Sequence, residues 1–180
     1  NTENAQFMAA HGACYAPWVI ERGEYYRLFT CMFLHFGIEH LFNNMLSLLF
    51  LGDLLEKLVG KWRYLLIYFA GGVGSSLISV FWELNFSKPA VSAGASGAIF
   101  AVIGALVFLA VIHRGMIPNV GRRRLYLMAA LSVFEGFTTQ GVDNAAHVGG
   151  FVLGFVLAAI FVGKMTVKQV PELFEEDSRS

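Results

Sequence analysis

The sequence predicts an all-α, polytopic membrane protein with five spans. Of its 180 residues 56% are hydrophobic and only 14% charged, where a soluble domain carries nearer a quarter. Mean hydropathy is +0.59. Three runs, 64–82, 89–112 and 144–163, contain no Lys, Arg, Asp or Glu, and each matches the roughly 20 apolar residues that cross a bilayer. The length suits one domain. Net charge is zero, so no nucleic-acid partner is expected, and the lipid bilayer is the expected surrounding.

The elements follow in order, with residues 1–165 as the membrane domain. Residues 1–36 read as an extramembrane segment, and their polar NTENAQ opening does not read as a signal peptide. The span over 37–58 is apolar in its middle, with Glu39 near one end and Asp53, Glu56 and Lys57 near the other. Spans over 63–83, 94–112 and 144–163 follow from the uncharged runs. The span over 124–141 is interrupted by Glu135, to which no role is assigned, and 166–180 form a polar tail. Cys14 and Cys31 make neither a metal spacing nor a disulfide framework, and pair only if the fold brings them together.

Basic residues orient the spans. Lys57, Lys61, Arg63, Arg114, Arg122, Arg123, Arg124, Lys164, Lys168 and Arg179 fall on one side; Arg22, Arg27 and Lys88 fall on the other. Ten against three puts the C-terminus in the cytoplasm and residues 1–36 outside. Helices starting near 37, 94 and 144 then all run inward. Their unusual polar residues, His40 and Asn44, Ser96, and His147, all lie in early turns, so the four share one depth near the outer face.

Chemistry is legible at that depth. Ser96 stands in GASG (94–97), and a serine needs only a neighbouring base to become a nucleophile. Alone it is ambiguous, because serine in a membrane helix also bonds its own i−4 carbonyl or packs a small interface. A helix beginning at this turn would aim free N–H groups at an oxyanion. His147 is costly at membrane depth and is the natural base. Gly150 and Gly154 give its helix a small face, and Gly97, Ala101, Gly104 and Ala105 offer a matching one. If these faces pack together, Ser96 and His147 come within hydrogen-bond reach.

His40 and Asn44, spaced i and i+4, share a helix face and can both donate, either to an oxyanion or across helices as a polar clamp. Asn43 points about 100° away and is set aside. Asp143, four residues before His147, reads as the N-cap of that helix, which favours a Ser–His dyad over a triad. No H-E-x-x-H occurs, so a zinc protease is disfavoured, and neither metal nor cofactor is expected.

Taken together, GEYYRLFTCMFLH (23–35), HFGIEHLFNNM (35–45), LGDLLEKLVGKWRYL (51–65), GASGAIF (94–100) and NAAHVGGFVLG (144–154) resemble the rhomboid intramembrane serine proteases over nearly the full length. H-x-x-x-x-H-x-x-x-N, G-x-S-G and A-H-x-x-G in this order are specific as a set. The resemblance implies a rhomboid-like helical bundle, with Ser96 as nucleophile and His147 as general base. It implies an oxyanion hole of His40, Asn44 and the Ser96 backbone N–H. Phe100 matches an aromatic position beside the catalytic histidine, and His35 a structural histidine below the outer loop. Arg27 and Glu56 match positions that hold the loop and helix-end architecture. Rhomboids of the basic form have six spans, so the family's first helix is expected to be absent from this chain. Transmembrane proteins are the implied substrates and a bacterial plasma membrane the implied location. The other readings are a catalytically inactive rhomboid-like protein that binds membrane clients, and a small transporter, which the absence of an internal repeat disfavours.

Overall fold

The computed structural model describes residues 1–112, 126–127, 130 and 141–163. The expected span over 124–141, with Glu135, and the tail over 166–180 lie outside the described residues save for the isolated positions just given.

Residues 1–36 form a folded cap around Arg27. Helix α1 (Ala5–Ala10) is N-capped by Asn4, whose side chain accepts from the Phe7 N–H. A two-residue strand β1 (Cys14–Tyr15) leads into α2 (Ala16–Glu21), which starts on Pro17. Helix α3 (Arg27–Thr30) runs on into a 3-10 turn over Cys31–Phe33. The Arg27 side chain is buried at 3% exposure. Its Nη1 donates to the carbonyls of Ala9 at 2.6 Å and Ala13 at 2.8 Å, and its Nε donates to the Glu24 carboxylate. Its guanidinium also lies over the Trp18 ring, 4.7 Å from the centroid. One carbonyl of the last turn of α1 and one in the connection after it are thereby satisfied by one fixed charge.

The first span is helical from 37 to 59 in three pieces: α4 (Gly37–Ser47), a π-helical turn over Leu48–Gly52, and α5 (Asp53–Val59). The Glu56 carbonyl accepts from the Gly60 N–H at 2.8 Å and closes the last turn. Helix α6 (Lys61–Phe86) is longer at both ends than the 63–83 expected of it. Strand β2 (Val91–Ser92) pairs antiparallel with β1, Cys14 opposite Ser92 and Tyr15 opposite Val91. The small sheet departs from the all-α expectation. Two non-helical connections that share an apolar setting satisfy their backbone groups on each other.

Helices α7 (Ser96–Ile112) and α8 (Asn144–Val162) complete the described core. Helix α7 is buried on all sides, which accounts for its uniformly apolar sequence. Helix α8 buries Gly150, Gly154, Ala158 and Val162 at four-residue steps, while Val148, Val152, Val156 and Ile160 are exposed on the other side. Among the described residues two helices, Lys61–Phe86 and Asn144–Val162, are long and apolar enough to cross a membrane, and Ser96–Ile112 is a shorter apolar helix.

The α7–α8 seam has the small faces that the sequence offers. A Cβ on Gly150 would run into the Gly97 carbonyl oxygen, one on Gly154 into that of Ala101, and one on Gly104 into that of Phe151. Helix α6 joins the same point, because a Cβ on Gly97 would strike the Ser75 hydroxyl. Backbone meets backbone here, an approach open only to glycine.

Candidate active site

Ser96 is the first residue of α7, so its N–H and those that follow have no partner within the helix. The turn that presents it is held from outside. The Gly94 N–H donates to the Cys31 carbonyl at 3.0 Å, and the Ala95 N–H donates to His35 Nε2 at 3.2 Å. Gly94 has φ +139°, and a Cβ there would lie 2.8 Å from His40 Cε1. Only glycine supplies both that backbone and that space.

His35 is buried and must be neutral to accept the Ala95 bond through Nε2. Burial first, and then the neighbouring His40 ring, push its pKa down to about 4, against a smaller opposite pull from the Phe33 backbone. The rings of His35 and His40 meet edge to face, centroids 5.2 Å apart.

His147 Nε2 lies 2.9 Å from Ser96 Oγ. In the arrangement that deprotonates serine, Oγ–H donates to Nε2 and the ring proton sits on Nδ1, a tautomer assigned from the bond. Nδ1 is buried and has no hydrogen-bond partner among the described residues. The imidazole is instead held by Phe100, stacked on it at 4.3 Å between centroids and 14° between planes. Phe100 stands one turn after Ser96 on the same helix, so Ser96 and the support of the His147 ring share a rigid element.

Asn44 is 7% exposed; its Nδ2 donates to the His40 carbonyl one turn earlier at 2.8 Å, and its Oδ1 has no partner among the described residues. One of the two amide hydrogens is thus taken by its own helix and the other remains available. His40, Asn44, Ser96, Gly97, Phe100 and His147 all border one cavity of about 1040 Å³. Asn43, set aside on helical geometry, borders it too. Arg27 and Glu56 do not line the cavity, and Gly150 and Gly154 act from behind, through helix spacing.

Sequence reasoning passed over the polar groups of α6. Ser75 and Ser76 both donate to the Gly72 carbonyl, at 2.7 and 3.2 Å, and both border the cavity. Ser79 donates to Asp143 at 2.5 Å. Asp143 caps α8 as expected, accepting from the Ala146 N–H at 2.9 Å. A run of three serines on one apolar span was the signal available. Cys14 and Cys31 are free, buried thiols, and Cys31 Sγ lies 3.4 Å from Ser76 Oγ. Among the described residues no three His, Cys, Asp or Glu side chains are grouped as a metal ion would require.

A family model described as the Rhomboid domain matches residues 22–164. The chain belongs to the rhomboid family. It is similar to the rhomboid protease GluP of Bacillus subtilis, with 37% identity over 156 residues, covering 87% of this chain and 30% of GluP. RHOMBOID-like protein 1 of Arabidopsis thaliana is 37% identical over 153 residues, covering 84% of this rhomboid and 38% of the plant protein. Inactive RHOMBOID-like protein 8 of the same plant is 33% identical over 169 residues, covering 87% and 45% of the two chains. This rhomboid therefore spans between 30% and 45% of the length of these three relatives. Family membership makes it an integral membrane protein, in keeping with the exposed apolar stripe of α8.

Proposed function

We propose that this rhomboid is an intramembrane serine endopeptidase, with Ser96 as nucleophile and His147 as general base. The observation that carries the reading is the 2.9 Å contact between Ser96 Oγ and His147 Nε2 at the head of two close-packed helices. A substrate's transmembrane segment unwinds locally at the cavity, and Ser96 Oγ attacks its scissile carbonyl while His147 Nε2 takes the proton. Collapse of the tetrahedral intermediate breaks the C–N bond, and the leaving amine receives that proton from Nε2. Water, deprotonated by His147, then hydrolyses the ester on Ser96. The oxyanion is held by the Ser96 N–H, the His40 ring N–H and the amide hydrogen that Asn44 keeps free.

A dyad is supported by His147 Nδ1, which is buried without a partner among the described residues, and by Asp143, whose oxygens are engaged elsewhere. The imidazolium that forms is stabilised over the face of Phe100. The basic-residue count, ten against three, supports a cytoplasmic C-terminus and a site toward the outer face, where water is at hand. The family's simplest home for such a chain is a bacterial plasma membrane.

The test is cleavage of a single-span substrate by the purified protein and by Ser96→Ala. Cleavage by the wild type alone is expected, and equal cleavage by both defeats the reading. Labelling by a fluorophosphonate that is lost in His147→Ala assigns the base.

A further inference from the structure

Asp143 has more bonds than a helix cap uses. Capping α8 takes one oxygen, Oδ1, which accepts from the Ala146 N–H at 2.9 Å. The other, Oδ2, accepts from the hydroxyl of Ser79 at 2.5 Å and from that of Ser92 at 2.8 Å. These donors stand 64 and 51 residues away in sequence, on α6 and on β2. Ser92 lies four residues before Ser96, and Asp143 lies one helical turn before His147. One carboxylate therefore joins the segment carrying the nucleophile, the helix carrying the base, and the helix packed behind both.

We propose that Asp143 is a positioning residue that, through Ser79 and Ser92, sets the placement of His147 on Ser96; this rests on the serine-protease reading above. The contacts of Gly150 with Gly97 and of Gly154 with Ala101 set how closely α7 and α8 approach, but bare backbone seams slide and rotate. A three-way tie at their outer end fixes rotation and axial register. An ionised carboxylate only accepts, so both hydroxyls must point at it, and such charge-assisted bonds are the stronger kind. Ser79 is 3% exposed, so its bond has no competing water. Asp143, Ser92 and Ser96 all border the same cavity, so the tie stands beside the reacting atoms without touching them.

The decisive variant is Ser79→Ala combined with Ser92→Ala, which leaves the cap on Ala146 intact and removes both ties. Cleavage of a single-span substrate is measured with the full chain in detergent, alongside wild type and Ser96→Ala, and rates are normalised to folded protein. The double variant is expected to lose about tenfold or more in kcat with KM within about twofold, as misplacement of a catalytic pair does. Asp143→Ala added to it should cost little more, since residues acting through one contact are not additive. Asp143→Asn should keep most of the rate, because its oxygen can cap Ala146 while its NH₂ donates to both hydroxyls. Wild-type kcat in the folded double variant, or full additivity with Asp143→Ala, overturns the proposal. If Ser96→Ala cleaves as well as the wild type, it is the protease reading that fails, and the two failures are separate.

Discussion

Gly150→Ala tests whether helix spacing sets the chemistry. The added Cβ would lie 3.1 Å from the Gly97 carbonyl carbon and closer still to its oxygen, where ordinary contact begins at 3.4 Å. One turn deeper, a Cβ on Gly154 would be 2.5 Å from Ala101 Cα, short of ordinary contact by 3.4 − 2.5 = 0.9 Å. Both obstacles are backbone and cannot rotate away, so one methyl opens the seam by about 1 Å. Gly150 follows His147 by three residues and Gly97 follows Ser96 by one. The 2.9 Å between Oγ and Nε2 then grows to about 3.9 Å, past hydrogen-bond range. Misplacement of that size costs on the order of 10²-fold in rate, or about 2.7 kcal/mol of transition-state stabilisation. Overpacking costs a further ~1–3 kcal/mol of stability. The assay is kcat on a single-span substrate in detergent, read beside Tm. Gly149→Ala is the comparison, since the three atoms nearest its Cβ, at 2.9 to 3.0 Å, all belong to the Ile78 side chain on α6 and not to the backbone of α7. A folded Gly150→Ala protein that cleaves at the wild-type rate refutes the reasoning.

Phe100→Leu keeps apolar volume but removes the aromatic face under His147, and is expected to lower kcat roughly 2- to 30-fold while KM holds, the reach of a ~0.5–2 kcal/mol cation–π contact. An unchanged kcat would remove Phe100 from the account of the imidazolium. Acidification should weaken the outer cap through His35. Its pKa in the folded protein lies near 4, below the ordinary 6.5, so the unfolded chain binds the extra proton. The stability it contributes is complete above about pH 6.5 and is lost as pH falls from there toward 4. In His35→Gln, whose amide oxygen can still accept from Ala95, the drop in Tm between pH 7.5 and 4.5 should shrink; an identical drop in both proteins excludes His35 as the source.

How much of the site was legible depended on the range of the contact. The helical segments expected over 37–58, 63–83, 94–112 and 144–163 follow from apolar runs, and each of the four is helical over most of its length. The cap of Asp143 on α8 is local and readable three residues ahead. The matching glycine faces of α7 and α8 could be named as complementary in advance. The π-helical turn over Leu48–Gly52 and the pairing of Cys14–Tyr15 with Val91–Ser92 could not, since nothing in either short segment marks its partner. Asn43 was set aside on helix geometry alone, yet the cavity is wide enough to reach it.

By itself the sequence determined a membrane protein and led to the expectation of one depth for His40, Asn44, Ser96 and His147, because the apolar runs and position along a helix are local properties. It also determined the family, because spaced motifs survive without knowledge of contacts. Only the tertiary structure decided that Ser96 Oγ meets His147 Nε2, that Phe100 rather than a carboxylate steadies the ring, and that Asp143 gathers Ser79 and Ser92. Those are pairings between residues roughly fifty or more apart in the chain, selected by how closely glycine lets three helices approach.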